Sequence, residues 1–184
     1  MSHFEYIVGF LSILMGLAIA ELLSGIGRIF RERRTTTIYW VHVTWMVLLI
    51  GICIISWWNI WTLHDKEIQT ISEFVMILAP RLLYVVLAFV LSPPISHGQY
   101  FNLRDYYYNQ FRLAAILLAA AFMLTTFYRS VFGNEGLYHP QSLVRFIGAV
   151  LVTALSFTNN SRVHEITAAL LCVLLAIGFT VTLR

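Results

Sequence analysis

Apolar runs broken by short polar segments make up almost the whole chain, at 4–26, 39–62, 71–92, 112–130, 143–158 and 164–183. Most approach the roughly 20 residues that a helix needs to cross the hydrocarbon core of a bilayer. Their spacing predicts an all-α, polytopic membrane bundle of about six transmembrane helices in a single transmembrane domain, with no soluble domain. The run 143–158 is the shortest and is compatible with either a full span or a re-entrant helix. Composition agrees with the pattern, since 59% of residues are hydrophobic and 11% charged, far from the balance of a soluble domain. Met1 to Tyr6 is not basic and Glu21 interrupts any small-residue cleavage site, so no signal peptide is expected.

Charge sets the expected orientation. The loop "GRIFRERRTTT" carries Arg28, Arg31, Arg33 and Arg34, and short loops this basic stay in the cytoplasm. Both termini then fall outside. Alternating spans add Arg104, Arg112 and Arg162 to the inner side, against Lys66, Arg129, Arg145 and Arg184 outside. The acidic connection "HDKEIQTISE" suits the outer side. A basic inner face implies anionic lipid at the inner leaflet rather than nucleic acid as its partner.

Aromatic residues mark the expected interfaces. Tyr39, Trp40 and Trp45 stand at the inner end of the second run, and Trp57, Trp58 and Trp61 at its outer end, as interfacial anchors do; the segment "WWNIW" could instead form an aromatic cage. The inner segment "SPPISHGQYFNLRDYYYNQFR" reads as a proline-broken loop on the membrane surface, with a cytosolic protein as a possible partner.

Helices in lipid associate where small residues let their backbones approach. Ser12, Gly16, Ala20 and Ser24 line one face of the first run, and Ala168, Cys172, Ala176 and Thr180 one face of the sixth. Both faces are expected to pack against protein, either within the chain or in a homo-oligomer. Cys53 and Cys172 read as buried thiols rather than a disulfide. Runs one to three and four to six have opposite expected orientations, as an inverted repeat would, but no residue alignment supports a duplication.

Three polar residues stand out within the runs: Glu21, His42 and Arg81. An arginine near the middle of a span is costly and must face protein or water. Pro80 before it frees the carbonyl of Met76. Glu21 and His42 fall at similar depth inward of the membrane centre, so the three could gather into one polar cluster if Arg81 points inward. Such a cluster either neutralises itself and fixes helix packing or lines a functional site.

The catalytic motifs H-E-x-x-H and G-x-S-x-G, paired aspartates and a glycine-rich phosphate loop are all missing. No catalytic residue, cofactor or metal is therefore expected. A bis-histidine haem on His42 and His164 is a remote alternative. Glu165 beside His164 suits the first turn of the sixth helix.

The opening "LSILMGLAIAELLSGIGRIFRERR" followed by "YWVHVTWMVLLIGICIISWW" resembles a set of small bacterial multi-span inner-membrane proteins. The resemblance covers the first third of the chain and implies a bacterial inner-membrane location without implying an activity. Two function classes follow. One is an oligomeric channel or transporter-like protein for an ion or small solute; the other is a non-catalytic sensor or anchor docking a cytosolic partner through its inner loops.

Overall fold

The computed structural model describes residues 3–61, 70–132, 136 and 138–182. Among these, six helices carry the fold: α1 (His3–Arg31), α2 (Trp40–Trp58), α3 (Ile71–Leu91), α4 (Leu103–Val131), α5 (Pro140–Leu155) and α6 (Ser161–Thr182). The first four are long and apolar enough to cross a membrane, and α5 is a shorter apolar helix. Most of the acidic connection after Trp61 lies outside the described residues.

Helix boundaries follow local capping chemistry more closely than hydropathy. At the start of α3 the Thr70 hydroxyl accepts from the Glu73 amide, and the Glu73 carboxylate accepts from the Thr70 amide, a reciprocal cap worth about 1 kcal/mol. Pro93 and Pro94 end the helix, so this span matches its hydrophobic run. Helix α4 does not, because Asn102 caps it ten residues before the apolar run begins. The second half of the segment expected to be a surface loop, from Leu103 on, is therefore its first turns. Tyr106, Tyr107 and Tyr108 lie on α4, and Tyr107 is only 1% exposed. Pro140 at the first helical position and His139 as cap start α5 three residues early; Asn160 does the same for α6.

Around the bundle the helices close a ring in the order α1, α3, α4, α5, α6, α2, with α2 also touching α3 inside it. At one end, strands β1 (Thr36–Thr37) and β2 (Phe101–Asn102) pair in parallel. Exposed Arg31, Arg33 and Arg34 lie at that end, here termed the basic end; the opposite one is the far end.

The core face of α1 is Leu11, Met15, Ala18, Leu22, Gly25 and Ile29, spaced alternately by four and three residues, as in a coiled-coil seam. The small-residue stripe expected to pack is on another face. Gly16, Ala20 and Ser24 are exposed, Ser12 is half-buried, and a Cβ at Gly16 would meet nothing within 4 Å. On α6, Ala168 is buried whereas Cys172 and Ala176 are exposed. Within one chain the seam covers α1 and leaves its stripe open. Trp45, expected as an anchor, is also a core residue: it is 4% exposed, with its ring edge-on to Phe111 at 5.3 Å.

A polar clasp closes the basic end. His97 Nδ1 donates to Glu32 Oε1 at 2.6 Å, and the Gly98 amide donates to the other oxygen at 3.4 Å. Gly98 has φ of +73°, which side chains rarely adopt. The His97 hydrogen bond holds the Glu32 carboxyl below its ordinary value of 4.5. Because that value is lowered on folding, the clasp's stabilisation is fully present above pH 4.5 and is lost as pH falls through the lowered value. Limited proteolysis is expected to cut between residues 92 and 101 faster at pH 3 than at pH 7, and Glu32→Gln to remove the difference.

Candidate functional site

The intramembrane polar residues belong to two separate places. The first is the basic-end terminus of α3. The last four carbonyls of a helix have no partner within it, and here the chain continues as Ser92, Pro93, Pro94, of which only Ser92 has an N–H. That amide serves Ala88 and Phe89. Donors for the other carbonyls, and for those of the two residues that follow the helix, come from three neighbouring helices. His42 Nε2 donates to Leu91 O at 2.8 Å. The Tyr106 hydroxyl lies 2.9 Å from Val90 O and 3.2 Å from Ser92 O. Arg28 Nε donates to Pro93 O at 3.3 Å. Ser92 Oγ in turn donates to Glu21 O at 3.1 Å.

Glu21 acts through Arg28, its carboxylate receiving Arg28 Nη2 at 2.9 Å, while Arg28 Nη1 donates to Ser24 Oγ. Thus Glu21 and His42 do meet the same structure, the end of α3, but as parts of a cap. His164 Nε2 donates to Thr158 O at 2.8 Å, so its Nδ1 accepts from the Tyr107 hydroxyl at 2.7 Å. Tyr107 presents its ring edge-on to both His42 and His164, at 6.0 and 5.4 Å between centroids. Both nitrogens of His164 are engaged and a tyrosine fills the space between the two imidazoles, so the bis-histidine haem does not fit. Among the described residues, no group of three or more His, Cys, Asp and Glu side chains is placed to hold a metal ion.

The second place is the far half of the bundle, and Arg81 is there. A helical side chain leans back toward the helix N-terminus, and α3 begins at the far end. The Arg81 guanidinium accordingly extends away from Glu21 and His42, and Nη1 donates to Ile77 O one turn back. The expected three-residue cluster does not form for this reason. Leu91, which His42 caps, is ten positions along α3 from Arg81, or about 15 Å at the helical rise. Arg81 is 5% exposed and its Nε is buried with no hydrogen-bond partner.

Arg81 lines a partly open cavity of about 120 Å³ walled by α2, α3, α4, α5 and α6. Helix α5 is the shortest of the six and stands between α4 and α6 in the ring, separated from α2 by α6. The base of the cavity is apolar, with Trp45, Leu48, Leu118, Phe122 and Val152. Toward the far end it becomes polar, with Ser56, Asn59, Tyr128 and Gln141. Arg129 and Arg145 join Arg81 on its wall. Arg129 is 8% exposed and near enough to repel Arg81. Arg145 donates to Thr126 Oγ1 at 3.3 Å and to Ser142 Oγ at 3.2 Å. No Asp or Glu is among the described lining residues.

Arg129 and Arg145 escaped the sequence reading because they stand near the ends of apolar runs, where they count as orientation charges. The available signal was "PQSLVRFIG", which places Arg145 five residues inside a helix opened by Pro140. Comparison with known protein families, curated proteins and solved structures finds no match to the chain.

Proposed function

We propose that the chain is a multi-pass protein of a bacterial inner membrane, with the basic end in the cytoplasm, whose far-end cavity receives an anionic solute as the binding step of transport. Four apolar helices support the membrane setting. A bacterial inner membrane is the location that the resemblance of the first third would imply. Arginine asymmetry supports the orientation, which a reporter fused to the C-terminus reads by falling outside. The observation that carries the functional reading is three arginines around one partly apolar cavity, one of them buried with an unpartnered Nε. Guanidinium groups in low dielectric favour anions, which they bind through charge-assisted hydrogen bonds. A homo-oligomer would cover the open stripe of α1.

A second reading is a sensor. The apolar base between the cavity and the basic end favours it, since a closed site signals occupancy without passing solute. Exposed Arg31, Arg33 and Arg34 then offer a cytosolic partner or anionic lipid its docking surface.

Protein in nanodiscs is expected to gain thermal stability with added carboxylate or inorganic anion, as any ligand of the folded state confers, and Arg81→Gln is expected to lose that gain. Equal shifts in both proteins would remove Arg81 from the site. Anion flux in proteoliposomes separates the two readings: transport requires it, whereas a sensor binds without flux.

A further inference from the structure

We infer that the anion taken by the far-end cavity is a small organic acid with an apolar body, of the size and chemistry of benzoate, rather than a bare inorganic ion. This inference rests on the anion-binding reading and adds the nature of the ligand's other end. Along α2 the lining runs from Trp45 to Asn59, about 21 Å at the helical rise, and its character changes along that length. Arg81, Arg129 and Arg145 supply positive charge on the wall, and Asn59 and Gln141 supply polar groups toward the far end. The opposite portion is hydrocarbon and aromatic ring. A chloride or phosphate beside the arginines would leave that portion empty or filled with poorly bonded water, whereas an apolar body would displace the water and contact its rings.

Size limits the class. An apolar cavity of about 150 Å³ accommodates benzene, so 120 Å³ suits one ring or a short branched chain better than a long acyl chain. The carboxylate would meet Arg81 Nε, the buried donor without a partner. No covalent step is involved.

The test uses the full chain in nanodiscs, with Trp45, which lines the cavity, contributing to a fluorescence readout. Four probes are titrated: benzoate, chloride, benzyl alcohol and laurate. Benzoate is expected to bind at least tenfold more tightly than each of the others. Arg81→Gln should weaken benzoate by about ten- to a hundred-fold, the effect of a lost charge-assisted hydrogen bond. Leu174→Trp fills the cavity from α6 without removing a charge, and should abolish benzoate binding even if Arg81→Gln fails to fold.

Chloride binding as tightly as benzoate would overturn the organic-acid inference and leave the anion-binding reading intact. Laurate binding more tightly would also overturn it, pointing to a lipid-derived chain. Benzyl alcohol matching benzoate, or no probe binding at all, would overturn both the inference and the reading on which it rests. Unchanged benzoate affinity in Leu174→Trp would show that the acid binds outside this cavity and overturn the inference.

Discussion

Gly25→Leu is expected to lower the melting temperature of the protein by about 2 to 12 °C, while Gly16→Leu on the same helix leaves it unchanged. A Cβ at Gly25 would lie 2.7 Å from Met46 Cε and Ser92 Oγ and 3.3 Å from Ser92 Cβ. The methionine end can move. Ser92 is less free, because its hydroxyl is hydrogen-bonded to Glu21 O and it follows the last turn of α3. Either α1 withdraws from α3 or the cap is broken, and overpacking of this kind costs about 1 to 3 kcal/mol. For a chain of this length, each kcal/mol shifts the midpoint by about 2 to 4 °C. Gly16 faces open space, so leucine there meets nothing in the monomer. Tryptophan-fluorescence melting in one detergent measures both. If Gly16→Leu were the more damaging, the α1 stripe would be the packed face and the seam assignment would be wrong.

Replacing His42 by Ala is expected to cost about 1 to 3 kcal/mol, the penalty of leaving a buried carbonyl without its donor, plus the loss of a fully buried ring. No neighbouring backbone amide can take over at Leu91, because two of the next three residues are prolines. His42→Gln retains a side-chain N–H donor and should recover part of the loss. Tyr106→Phe removes one hydroxyl shared between two carbonyls and should be milder than His42→Ala. Denaturant unfolding of the three variants would order them. Equal stability of His42→Ala and the parent would mean that water reaches Leu91 O and that the cap is dispensable.

Much of the helix count was legible because spans of apolar residues need little further information, and α3 was legible nearly to the residue because a capping box and two prolines bound it. Helix α4 was not, since "NLRDYYYNQFR" is polar enough to read as a loop yet forms the first turns of the helix, where its tyrosines set their rings edge-on to His42 of α2 and His164 of α6. The seam of α1 was hidden for the opposite reason. Where exposed positions such as Phe10, Ile13 and Leu17 are as apolar as Leu11 and Met15, hydropathy does not separate one face from another, and small residues misdirect the choice. For Arg81 the sequence supplied depth but not direction, and direction decided which partners it met.

The prolines after α3 also impose an order on synthesis. Donors to its final carbonyls come from His42, already made, and from Tyr106, made only after the prolines have passed. Until Tyr106 emerges, Val90 lacks the hydroxyl that completes its pairing, so the first three helices alone do not form a finished unit. The pairing at the end of α3 is therefore completed only when α4 docks against it.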